Sequence, residues 1–268
     1  MNEIIKAIIL GIVEGLTEFL PISSTGHLII VNEFIDFTGG FAKMFDIVIQ
    51  LGAILSVIVY FWQKLFPFDN NKTPLEKSET WNIWKKTILG VLPALFFGAT
   101  LGKHIEEYLF NPITVALALL IGGIALIILE RRKTQGHINS IASLSYKTAF
   151  FIGIIQCLAM IPGTSRSATT IIGAMLLGAS RVVAAEFSFF LAIPTLFAAS
   201  AYSLLKTGFV LNTTQIQLLV IGFVVSFLAA WLVIAGFMKF ITKKDFKAFG
   251  YYRILLGALI LIYFAIVK

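Results

Sequence analysis

The sequence predicts an all-α, polytopic integral membrane protein, and three observations predict it. Of 268 residues, 58% are hydrophobic and 13% charged, whereas soluble domains carry about 45–50% apolar and roughly 25% charged residues. Mean hydropathy is +0.92, and the apolar residues fall into runs long enough to cross a bilayer. Finally, the polar residues buried inside that apolar sequence gather in two short stretches. The net charge of +7 calls for no nucleic-acid partner, because short basic loops on the cytoplasmic side of a membrane give the same excess. Cys157 is the only cysteine, so no intrachain disulfide forms, and its apolar surroundings suit packing rather than reactivity.

Residues 2–31 are too polar at their centre to cross lipid as one helix. They are expected as two short helices broken near Pro21–Ser24, a re-entrant hairpin. Broken backbone at that depth must be buried in protein or line a wet cavity. Glu14 and Glu18 interrupt the early apolar run, so a cleavable signal is not expected. A connection over 32–44 leads to a span from Phe45 to Trp62, which includes Asp46. A polar loop is expected over 63–86, then a weaker span, Ile88 to Leu101, bent at Pro93. The loop 102–112 carries His104. Ile113 to Leu129 is a clear span that stops at Glu130-Arg131-Arg132-Lys133, and the segment to Lys147, with His137, reads as loop.

Ala149 to Ala179 reads as a second pair of short helices, joined at Pro162-Gly163. Ala184 to Leu205, with Glu186 and Pro194, and Ile216 to Phe237 are spans separated by the loop 206–214. Lys239, Lys243, Lys244, Lys247 and Arg253 mark a loop region over 239–253. The last span, Ile254 to Val267, is short unless Tyr251 and Tyr252 extend it. About six transmembrane helices and two re-entrant hairpins result. Excess base makes 63–86, 130–147 and 239–253 cytoplasmic, which leaves 102–112, 206–214 and both termini external.

The two halves match in outline. Gly11-Ile12-Val13-Glu14 precedes Pro21-Ile22-Ser23-Ser24, and Gly153-Ile154-Ile155-Gln156 precedes Pro162-Gly163-Thr164-Ser165. A single membrane domain is expected, made of two inverted-topology repeats at about 1–133 and 147–268. Such repeats place a site where broken helices meet.

The polar stretches carry the chemistry. Glu14 and Glu18 are four apart and share a helix face, where like charges repel. Intramembrane acids are costly and mark function by default. A divalent cation relieves the repulsion, and magnesium is often shared between carboxylates and a substrate phosphate. Ser23, Ser24 and Thr25 follow the proline; any one of them also suits a helix cap. His27 is three residues past Ser24, and a base beside a hydroxyl is the minimal activated nucleophile. In the second stretch Arg166 suits a bidentate phosphate clamp, with Ser165, Ser167 and Thr170 as further donors. Asp46 and Glu186 are expected to be structural or to pair with Arg181.

These residues carry a close resemblance to a known family. The runs Glu14 to Pro21, Ser23-Ser24-Thr25-Gly26-His27, Pro162-Gly163-Thr164-Ser165-Arg166-Ser167 with Thr170, and Ala185-Glu186-Phe187-Ser188-Phe189 resemble the undecaprenyl-diphosphate phosphatases of bacterial cytoplasmic membranes, also called bacitracin-resistance proteins. The resemblance runs from about Ile9 to the last span. It implies hydrolysis of the terminal phosphate of undecaprenyl diphosphate, giving the monophosphate lipid carrier of cell-wall synthesis. It implies a divalent metal (magnesium or calcium), a site opening to the external face and a homodimer. The family's functional positions fall on Glu14, Glu18, Ser24, His27, Ser165, Arg166 and Thr170. Either Ser24 attacks with help from His27, or His27 and a glutamate activate water. A lipid-phosphate transporter or flippase is the alternative, since broken helices and inverted repeats also build carriers.

Overall fold

The computed structural model describes residues 1–132, 136–207 and 211–267. The chain begins with two short helices, α1 (Glu3–Thr17) and α2 (Ser24–Ile35), separated by a non-helical break. Then come α3 (Gly40–Tyr60), a single turn α4 (Trp62–Leu65), α5 (Pro74–Leu109) and α6 (Pro112–Arg131). A second broken pair follows: α7 (Tyr146–Gln156), continued by a tight turn over Cys157–Met160, and α8 (Arg166–Leu176). The chain closes with α9 (Arg181–Thr207), α10 (Thr213–Ile241) and α11 (Lys247–Val267). Six of these helices are long and apolar enough to span. Among the described residues the only extended pairing is one isolated bridge, Ile138 with Ala179.

Helix α9 is the central pillar. Two thirds of its apolar window is buried (67%), against 17% for α5 at the periphery. Phe187, Phe189, Phe190, Leu191 and Ala192 have no exposed surface. Phe19, in the first break, meets Phe189 edge-on at 5.3 Å, so that break is seated directly on the pillar. The second broken pair packs on α5 through Gly90 and Gly153. A Cβ on Gly153 would lie 2.1 Å from the Gly90 carbonyl oxygen, so only glycine lets these backbones touch.

Three expected loops are shorter than the sequence suggests. The polar stretch 63–86 is largely helical, because α5 starts at Pro74 and runs without interruption to Leu109. Its start has a physical cause: Thr73 and Glu76 form a reciprocal capping box with proline in the first turn. The helix continues through Pro93, which is buried; membrane-spanning helices tolerate an internal proline of this kind. His104 is therefore on a helix, exposed, rather than in a loop. Lys86 lies inside the bundle and donates to the carbonyls of Ile141 (2.9 Å) and Ala142 (2.8 Å).

The third correction concerns 239–253. α11 begins at Lys247, so Tyr251 and Tyr252 do extend the last span, and Arg253 lies within it, fully buried. Arg181 pairs with Glu130 rather than with Asp46 or Glu186, and Glu186 pairs with Lys64. The expected loop 206–214 and the run ending at Lys133 fall partly outside the described residues.

Candidate functional site

The two breaks meet. Each is built alike: a serine with left-handed backbone caps the helix that follows. Ser23 (φ 73°) caps α2 and accepts from the Gly26 N–H, and Ser165 (φ 69°) caps α8 and accepts from the Ala168 N–H. Positive φ at a non-glycine residue costs on the order of 1–3 kcal/mol and persists only where surrounding structure enforces it. Helix N-termini carry partial positive charge and favour anions. Ser24 and Arg166 occupy the same position, the first of their helices.

Glu18 joins the breaks. It lies just past α1, and its carboxylate accepts from Ser24 Oγ at 2.6 Å and from Arg166 Nη2 at 3.0 Å. The Glu18 and Arg166 side chains are 5% and 8% exposed, so the pair is shielded from water. The other arm of the Arg166 fork donates to the Ser188 carbonyl (2.9 Å) and hydroxyl (3.3 Å), and its guanidinium carbon stands 5.7 Å from the centre of the Phe19 ring. Thr170 Oγ1 and Ser188 Oγ are 2.6 Å apart. Ser167 Oγ donates to the Leu20 carbonyl, tying α8 to the first break, and lies 3.0 Å from Ser165 Oγ.

Glu14 is buried with one carboxylate oxygen, Oε1, lacking any hydrogen-bond partner. Glu18, Asp46 and Arg166 are the charges that act on it. Among the described residues no three of His, Cys, Asp and Glu converge closely enough to hold a metal unaided. The orphaned oxygen of Glu14 and the neighbouring Glu18 carboxylate do fit a hard divalent cation that takes its other ligands from substrate oxygens and water.

His27 is oriented away from Ser24. Its Nδ1 lies 2.7 Å from the Ser23 carbonyl, which can only accept, so Nδ1 carries the proton. Nε2 then accepts from the Tyr252 hydroxyl at 2.6 Å, with the two rings stacked nearly parallel. The expected Ser24–His27 pairing is thus replaced by Ser24–Glu18, because α2 turns the two side chains to different neighbours. Thr25 makes none of these contacts. It lines a cavity of about 290 Å³ with Gly98, Gly102, Glu106, Phe110 and Pro162. A larger cavity of about 740 Å³ lies at the opposite end of α6, near Glu130 and Arg181, and contains none of the expected site residues.

Sequence reasoning missed three contributors. Ser188 had a signal, since it falls in the family-like stretch Ala185–Phe189. Tyr252 and Arg253 had none, being adjacent to a basic run that hydropathy assigns to a loop.

Fold and site together define a polytopic membrane protein with a buried acid–hydroxyl–guanidinium centre suited to a phosphorylated, partly apolar ligand. The chain belongs to the bacitracin resistance protein BacA family, whose model matches residues 7–259. It is 52% identical to undecaprenyl-diphosphatase 1 of Clostridioides difficile (strain 630), over 98% of this chain and 96% of that one. It is 49% identical to the undecaprenyl-diphosphatase of Limosilactobacillus fermentum, over 99% of each. For the undecaprenyl-diphosphatase of Enterococcus faecalis the figures are 48% and 98% of each.

Proposed function

We infer that this chain removes the terminal phosphate of undecaprenyl diphosphate, with water, to give undecaprenyl phosphate and inorganic phosphate. One observation carries the reading. In a chain about half identical to relatives named for that activity, a single buried carboxylate bridges a serine hydroxyl and an arginine. All three of those relatives are diphosphatases by name, which favours hydrolysis over transport.

In the proposed mechanism Arg166 holds the diphosphate with the guanidinium hydrogens not spent on Glu18 and Ser188, the unpartnered Nε–H among them, aided by the N-termini of α2 and α8. Glu18 takes the proton of Ser24 as Ser24 Oγ attacks the terminal phosphorus and the bond to the bridging oxygen breaks, releasing undecaprenyl phosphate. Water then hydrolyses the phosphoserine, releasing inorganic phosphate and restoring Ser24. The short Ser24–Glu18 contact favours this route over one in which His27 serves as base to Ser24. A divalent cation held by Glu14 and Glu18 would neutralise charge on the phosphoryl group being transferred. His27, with Tyr252 on its free nitrogen, orients the first turn of α2.

Two structural observations support the remaining parts of the proposal. Lys6 Nζ donates to the Asp36 carbonyl at the base of the first hairpin, beside the start of α3, while the bridge Ile138–Ala179 closes the second hairpin just past the end of α6. Three helices long enough to span, α3, α5 and α6, separate the two hairpins, an odd number in keeping with entry from opposite faces and so with inverted repeats. The cavity at Thr25 and Pro162 runs toward Glu106 and Phe110, the end whose loop lacks excess base, in keeping with a site open to the external face.

The test is phosphate release from a polyprenyl diphosphate by detergent-purified protein, beside Arg166→Ala and Ser24→Ala. Release by the native chain and its loss in both variants is the expected result, and a ³²P-labelled phosphoserine at residue 24 should be trappable on acid quench. Near-normal turnover by Ser24→Ala would overturn the serine route and leave activated water.

A further inference from the structure

Arg253 has no exposed surface, in a helix otherwise apolar around it. Its Nη1 donates to the Pro21 carbonyl at 3.3 Å. Its Nη2 shares its hydrogens among the carbonyls of Ala118 (3.0 Å), Gly163 (3.1 Å) and Thr164 (3.0 Å). Pro21 belongs to the first break; Gly163 and Thr164 belong to the second. Among the described residues none of the ion pairs includes Arg253. A buried cation without a counter-ion is costly, so these carbonyls stand in for both water and acid. The need is mutual, because breaking a helix strips carbonyls of their intrahelical donors and buried carbonyls require others.

Room for the guanidinium is made by α6. A Cβ on Gly122 would lie 2.3 Å from Arg253 Nη2 and 2.9 Å from its guanidinium carbon, so the side chain lies flat against bare backbone. The preceding residue, Tyr252, holds His27. One turn of α11 therefore reaches both hairpins at once.

We propose that Arg253 is a positioning residue of the reaction: by bonding both breaks it sets the distance from Ser24 and Glu18 to Arg166. The proposal rests on the phosphatase reading above, while the bonds themselves do not. Lysine keeps the charge but has no planar fork, so it cannot reach both breaks with the same geometry. A shift of about 1 Å in catalytic groups can cost on the order of 10²-fold in rate.

The experiment compares Arg253→Lys, Gly122→Ala and, as a control on the same helix seam, Gly257→Ala, whose Cβ would meet the Ala116 carbonyl at 2.8 Å. Turnover and KM on a polyprenyl diphosphate are measured per folded molecule, with amide hydrogen exchange followed by mass spectrometry. Arg253→Lys is expected to lose about 10²-fold in kcat with KM changed far less, and Gly122→Ala to lose in the same direction. Both should speed exchange over 18–24 and 157–166. Gly257→Ala should lower the melting temperature while leaving kcat and the breaks' protection unchanged. Wild-type kcat in Arg253→Lys and Gly122→Ala, or unchanged exchange at both breaks, overturns the proposal. If Arg253→Lys does not fold, Gly122→Ala decides. An inactive native protein defeats the phosphatase reading instead, and the exchange measurements still judge Arg253.

Discussion

Replacing Glu18 with glutamine isolates what the central ion pair contributes. The carboxylate accepts from Ser24 and from Arg166, and both charged side chains are under a tenth exposed. Glutamine has the same shape but only one acceptor oxygen, so one of the two donors faces an amide N–H. The Arg166 guanidinium also loses its counter-charge. Removing one member of a buried pair costs about 3–5 kcal/mol, because the other charge is left uncompensated. Arg166→Met makes the converse error, leaving Glu18 beside Glu14. The double variant Glu18→Gln/Arg166→Met removes both charges, and its cost should fall below the sum of the two single costs by about 1–3 kcal/mol. Unfolding in mixed micelles, followed by far-ultraviolet circular dichroism, measures all three against the native chain. Phosphate release should be abolished in each. Additive single costs, or turnover within about threefold of native in Glu18→Gln, would refute the argument, since a lost general base alone costs about 10²–10⁴-fold.

Three further outcomes are expected. Glu130→Gln, at the far end of α6, removes the charge opposite Arg181 and leaves one acceptor oxygen for the Arg181 guanidinium and the Phe246 N–H together; Arg181 is partly solvated, so stability should fall by only about 1–3 kcal/mol, and kcat should not change, as melting and turnover assays can check. Gly102→Leu fills the space beside Thr25 and Pro162, where a Cβ at residue 102 meets nothing within 4 Å. It should raise KM for a long-chain polyprenyl diphosphate by roughly tenfold and leave a short-chain substrate unaffected; equal effects on both would remove this cavity from the tail's path. Chelation with EDTA should abolish phosphate release and magnesium should restore it, whereas activity that survives exhaustive chelation would end the metal proposal.

Much of the architecture was legible because it depends on local pattern. Runs of apolar residues have one low-energy placement in a bilayer, and a proline in a polar stretch that follows a short apolar helix, as at Pro21 and Pro162, marks a break. The spans and both hairpins follow from that. The start of α5 was also legible in principle, since Thr73-Pro74-Leu75-Glu76 is a helix-start signature, but the lysines around it read as loop. Lys86 and Arg253 defeated hydropathy for a common reason. A windowed average treats a cation as a group that needs water, and both are solvated instead by backbone carbonyls from distant segments.

The site divides along the same line. Glu14, Glu18, Ser24 and Arg166 stand out in the sequence because polar groups in apolar runs are expensive and demand a reason. Their partners do not stand out. Ser24 is three residues from His27 in sequence, yet it bonds Glu18, while His27 bonds a tyrosine 225 residues away. By itself the sequence determined a membrane protein, its crossings, two breaks and the residue types at them, because each depends on neighbours along the chain. Only the tertiary structure decided which acid serves which hydroxyl, and that α11 holds both breaks together. Hydrogen bonds depend on direction and on distances of about 3 Å, and those are set by how helices far apart in sequence pack.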